Sequence, residues 1–241
     1  MSSYSTTKDK VTFLLIWTGI SILGWFLAPL DTLSPLLRTY LDVADRALAY
    51  TAYGLIIGLI IGTGQSVLLK QEFHSSKKWF TLTLAGYTLA LPIGLAISTL
   101  IPAITFPLHG LSFLPLKEPS TISYFPFPTD IFFGGWIAGL AQWIALRQIF
   151  PYRNSRLAAL WILGVWLGIG LGIFAMLIGR IAPININSGM LFDTTLAVER
   201  IKIGATSGLV TGLLLLFVIH QAQQIEKSAD ALIQLSRTDS L

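Results

Sequence analysis

The chain has 241 residues, 54% of them hydrophobic and 12% charged, with a formal net charge of +4 and a mean hydropathy of +0.71. A water-soluble domain carries about twice that share of charge, which excludes a free cytosolic enzyme; the basic residues, scattered singly between apolar runs, fit membrane topology and not nucleic-acid binding. The absence of cysteine excludes a disulfide framework, a thiolate nucleophile and a cysteine-ligated zinc or iron–sulfur centre.

A helix needs about 20 mostly apolar residues to cross the hydrocarbon layer. Windows over residues 11–30, 47–69, 79–104, 131–150, 157–178 and 203–219 meet that need, and Arg147, near the end of the fourth, is the only charged residue within them. The pattern predicts an all-α membrane bundle of six spans, with a short tail over 1–10 and an amphipathic tail over 220–241. Lys8 and Lys10 precede the first window as they would a signal peptide. Its apolar run is longer than a signal core, however, and no A-x-A site follows Leu27, so it reads as an uncleaved helix.

After the first window, Ser34-Pro35 carries helix-start chemistry. Leu37, Leu41, Ala44 and Leu48 follow at helical spacing, as in a segment lying on the membrane surface. In the third window Pro92 lacks the N–H that would bond the Thr88 carbonyl, so a kink is expected there. The following loop, from Pro102 to Asp130, is rich in proline and aromatic residues. Phe106, His109, Phe113, Tyr124, Phe125 and Phe127 mark it as a surface that either covers its own bundle or docks a partner. The last window is the shortest, but Asp193 is a good N-cap for an earlier start; Ile225, Ala229, Leu232 and Leu235 form an apolar stripe beyond it.

Basic residues set the orientation. Ten lie in the N-terminus, second loop, fourth loop and C-terminal tail, against six on the opposite side, which places both termini in the cytoplasm.

The chain also resembles itself. Gly58, Gly62, Gln65 and Lys70 align without a gap on Gly135, Gly139, Gln142 and Arg147, and Gly208 and Gly212 repeat the pattern with Leu215 in the glutamine position. In the odd windows Trp17 and Gly24, Trp79 and Gly86, and Trp161 and Gly168 share one spacing. The expectation is three parallel two-helix repeats. Because lipid is as apolar as leucine, such helices associate through small residues that bring backbones close. Gly58, Gly62, Gly135, Gly139, Gly208, Gly212, Gly24, Gly86 and Gly168 are therefore the expected packing positions. Trp17, Trp79 and Trp161 lie near the cytoplasmic ends, where indoles anchor at headgroups, and are expected to do so.

Gln65 and Gln142 each sit about 7–8 Å inside the cation ending their helix. An amide at that depth needs a partner. The alternatives are an interhelical hydrogen bond or a ligand contact with a headgroup, a quinone oxygen or a chlorophyll magnesium. His74, His109 and His220 have no metal-ligand spacing, no hydrolase or nucleotide-binding motif occurs, and no catalytic residue is assigned. The absence of acidic or histidine side chains within the spans also disfavours ion-coupled transport.

The motif G-x-x-x-G-x-x-Q-x-x-x-x-[KR] followed by Trp, in Gly58 to Lys70 and again from Gly135 to Gly168, resembles a group of uncharacterised multi-pass proteins of cyanobacteria and other bacteria. The resemblance implies a bacterial plasma or thylakoid membrane and no activity. The expected function is that of a non-enzymatic structural or assembly subunit, embedded in lipid and contacting a membrane-protein partner or further copies of itself, without a cofactor. The alternatives are a small-solute or lipid carrier, or a pigment- or quinone-binding protein.

Overall fold

The computed structural model describes six α-helices: α1 (Thr7–Leu27), α2 (Val43–Lys70), α3 (Ser76–Leu100), α4 (Thr129–Ile149), α5 (Ser155–Ile181) and α6 (Thr194–Thr238). The aromatic loop residues Phe106, His109, Phe113, Tyr124, Phe125 and Phe127 lie outside the described residues, as do Ser34 and Pro35. Segments over Lys8–Leu27, Ala47–Lys70, Lys77–Ile97 and Arg200–Gln221 are long and apolar enough to cross a membrane; Ala159–Ala175 in α5 is a shorter apolar stretch.

Each helix packs against its neighbours in chain order, and α6 packs against α1, so the six close into a ring. The α1–α2 and α4–α5 contacts are markedly less extensive than the other four. A narrow inner face of each helix is buried. In α2 it comprises residues 53, 54, 57, 58, 61, 62, 65, 68 and 69, and in α6 residues 203, 204, 207, 208, 211, 212, 215, 218 and 219. The alternating steps of three and four keep this stripe on one side of a 3.6-residue helix. The remaining faces are also apolar: Leu15, Leu59, Val67, Leu89, Leu140, Leu167, Leu171, Leu213 and Phe217 are all exposed. Polar Ser21, Gln65, Thr83, Gln142, Ser207 and Thr211 are buried instead. Apolar exterior and polar interior residues together are what a hydrocarbon solvent selects.

Glycine sets the distance between helices. A methyl group on Gly58 would stand 3.0 Å from the Leu84 Cα of α3, one on Gly139 3.3 Å from the Ile162 Cα of α5, and one on Gly208 2.8 Å from the Thr18 Cα of α1. Gly62 lies on the Phe80 carbonyl, Gly135 on Ile169, and Gly212 on Leu14 and Trp17. Thus these motif glycines of each even helix face the odd helix that follows it in the ring, while Gly64 and Gly134 face the odd helix before, at Ile20 and Ala90. The odd helices do the reverse: Gly24 lies against Ile61, Gly86 against Ala141 and Ala138, and Gly168 against Ser207. No side chain larger than hydrogen fits these contacts without displacement, and close approach is the main source of cohesion in lipid.

α3 continues through Pro92. In its preceding turn the Thr88 hydroxyl donates to the Leu84 carbonyl at 2.7 Å. α6 begins at Thr194, directly after Asp193 in sequence, and is the longest helix although its apolar window is the shortest. Between Leu213 and Thr238 no glycine or proline occurs to stop it, so the helix absorbs the polar tail. Its 45 residues extend about 67 Å, roughly twice a hydrocarbon thickness.

Candidate functional site

Inside the ring, Trp17, Trp79 and Trp161 come together. The ring centroids of Trp17 and Trp79 are 5.7 Å apart, and Trp79 meets Trp161 edge-on at 5.8 Å. The three are 0%, 0% and 1% exposed. The indoles expected at the headgroups are thus buried inside the bundle. The physical reason is the face they occupy: Trp17 lies four and seven residues from Ser21 and Gly24, and Trp79 stands likewise to Thr83 and Gly86. The indole thus shares its face with the small residues that make the helix contact. Phe13 extends the cluster at 5.5 Å from Trp17, and Trp25 packs edge-on to Tyr87 one layer farther along. Trp136 is the contrasting case, 41% exposed on the outside of α4.

The indole N–H groups have different fates. Trp79 Nε1 donates to Gln65 Oε1 at 3.3 Å, and Gln65 Nε2 donates to Ser21 Oγ at 3.5 Å. Ser21 Oγ donates in turn to the Trp17 carbonyl at 3.1 Å. Trp17 Nε1 donates to Thr211 Oγ1 at 3.1 Å, and the Thr211 hydroxyl donates to the Ser207 carbonyl at 2.7 Å. These bonds link α3, α2, α1 and α6. Leu215 occupies the position of Gln65 in α6, and Thr211, one turn earlier, accepts the indole N–H in its place.

The second glutamine behaves otherwise. Gln142 is as buried as Gln65, at 3% against 2%. Yet the N–H of Trp161, at the place in the repeat that Trp79 holds beside Gln65, has no partner among the described residues, and neither has the Thr83 hydroxyl. Ser21, Ser207 and Thr211 of the network, and the unpaired Thr83, are residues that the sequence reading did not single out. Their signal was the spacing of four residues that places Ser21 and Thr83 one turn from a tryptophan.

At the other end of the ring, Arg200 donates to the Phe26 carbonyl at 3.4 Å and Lys202 to the Ala175 carbonyl at 3.2 Å. Two cations on α6 thus reach carbonyls of both its neighbours, α1 and α5. Long cationic side chains can keep their stems on apolar surface while their charged heads find polar partners. His220 is exposed and bonds Gln224 at 2.9 Å along the same helix. No cluster of three metal-ligating side chains occurs among the described residues.

No protein family, curated protein or solved structure matches the chain.

Proposed function

We propose that the chain is a non-enzymatic, multi-pass integral membrane protein that serves as a structural or assembly subunit of a larger membrane complex. One observation carries this reading: the interior is occupied by tryptophan rings and a hydroxyl–amide network, while apolar side chains cover the outside of every helix. A packed aromatic centre favours rigidity over passage, and so supports a scaffold over a small-solute or lipid carrier. All six helices cross the bilayer on this reading, both termini facing the cytoplasm, as three two-helix repeats. Support for the repeats comes from the α2–α3 and α4–α5 seams, where Gly58 meets Leu84 as Gly135 meets Trp166 and Gly62 meets Phe80 as Gly139 meets Ile162, whereas the α6–α1 contacts of Gly208 are displaced by one turn. The repeated Gly–Gln–cation motif supports a bacterial plasma or thylakoid membrane. The aromatic loop, with Phe106 and Tyr124 among its residues, is the surface offered to a partner.

The test is purification in a mild detergent at native expression level, followed by quantitative mass spectrometry. A membrane-protein partner in fixed stoichiometry, lost when Phe106, Phe113 and Tyr124 are replaced by serine, is the expected result. A chain that migrates alone refutes the scaffold.

A further inference from the structure

Two corresponding places in the ring are completed differently. Gln65 spans from Trp79 to Ser21, so both ends of its amide are engaged. Around Gln142 the corresponding groups, the Trp161 N–H and the Thr83 hydroxyl, are buried and unpaired. Their neighbourhood follows from the helix register. Gly86 lies on Ala141 and Ala138, which brings the preceding turn of α3, bearing Thr83, beside the turn of α4 that bears Gln142. Gly139 lies on Ile162 and Val165, which brings that same turn of α4 beside Trp161. The α4–α5 contact flanking the place is one of the two less extensive seams of the ring.

Hydrocarbon offers no partner to either group. Buried polar atoms left unpaired by a chain call for a partner from outside it. We propose that an oxygen atom of a small guest accepts the Trp161 N–H and bonds the Thr83 hydroxyl, with Gln142 at its edge. The chemistry is set by the indole, which can only donate, whereas a hydroxyl donates or accepts. The guest must therefore be an acceptor, and a metal cation does not fit against an N–H. Water and the carbonyl of a membrane-dissolved quinone share this chemistry. The proposal rests on the lipid setting argued above but is independent of any protein partner.

The test uses the full chain with ¹⁵N-labelled tryptophan in lipid nanodiscs, the Trp161 indole signal being assigned through Trp161→Phe. A low-field, hydrogen-bonded indole proton that persists in Gln142→Leu is expected. Magnetisation transfer from water to that proton identifies water as the guest. A selective shift on adding duroquinone, with the Trp79 signal unmoved, identifies a carbonyl. A high-field, unbonded Trp161 proton in the wild-type chain overturns the proposal. So does a bonded proton that is lost in Gln142→Leu, because the amide itself then closes on the indole. Leu215 at the matching position of α6 indicates that the fold accepts leucine there; if Gln142→Leu fails to accumulate, Gln142→Met provides the same readout.

Discussion

Trp79 donates its indole N–H to Gln65 across the α2–α3 seam, whereas Trp161, at the corresponding place beside Gln142, finds no acceptor among the described residues. The same two residue types at corresponding places in the ring thus yield a closed contact once and an open one once. The difference coincides with the extent of packing: α2 and α3 lie tightly together, α4 and α5 less so. Hydrogen-bond geometry tightens or fails over a few tenths of an ångström, so a looser seam suffices to lose the bond.

Replacing Gln65 by leucine is expected to destabilise the ring more than replacing Gln142. The first substitution removes acceptor and donor together, leaving the Trp79 N–H unpaired and the Ser21 hydroxyl without its amide donor. Interhelical bonds in lipid average about 0.6 kcal/mol and reach about 1.7, so a loss of roughly 1–2 kcal/mol is expected for Gln65→Leu and less than about 0.5 for Gln142→Leu. Reversible unfolding in mixed micelles measures both. Equal losses would mean that Gln142 is also bonded inside the membrane.

Gly54 and Gly19 make a matched pair for the packing argument. A methyl group on Gly54 runs into the Tyr87 carbonyl of α3, while one on Gly19 meets nothing within 4 Å. Backbone cannot rotate away as a side-chain end can. Gly54→Ala should therefore cost about 1–3 kcal/mol through overpacking, with a lower folded yield. Gly19→Ala should be neutral or slightly stabilising, because alanine is the better helix former by about 1 kcal/mol. Thermal inactivation of the detergent-solubilised chain, followed by size-exclusion chromatography, distinguishes the two.

What could be read from the residues alone was whatever depends on one helix at a time. The length and apolarity of the windows decide the all-helical class, and the spacing of Gly58 and Gly62 decides that they share a face. Three things depended on neighbours. Trp79 near a helix end is compatible with a headgroup or an interior position, and only its shared face with Thr83 and Gly86 favours the interior. Thr211 replaces the missing glutamine of α6 from one turn away, a compensation visible only once α1 lies beside it. Gln65 and Gln142 are indistinguishable by sequence pattern, since the bond is decided by the fit of the seam.

Burial of the tryptophan cluster has an optical consequence. Brominated acyl chains quench indoles that touch lipid. Trp136, exposed on α4, should be quenched strongly, whereas Trp17, Trp79 and Trp161 should be protected. In single-tryptophan chains, with the other indoles replaced by phenylalanine, the Trp136 signal is expected to fall several-fold more than that of Trp79. Strong quenching of Trp79 would return that residue to the lipid interface.

The ring also makes a prediction about sidedness. Trp79 and Trp161 lie near the starts of α3 and α5, and the two indoles meet edge-on in one cluster. Helices whose beginnings meet run in the same direction, so the chain segments entering α3 and α5 must emerge on one side. Cysteine placed at Ser75 and at Ser155 should therefore react with an impermeant maleimide from the same face, and cysteine at Ser120 from the other. The native sequence has no cysteine, so each variant reports a single position. With the basic residues concentrated at the Ser75 and Ser155 side, that face should be the cytoplasmic one. Intact cells then label only Ser120→Cys, and inverted vesicles only the other two. Labelling of Ser75→Cys and Ser155→Cys from opposite faces is incompatible with an indole cluster at one end of the ring.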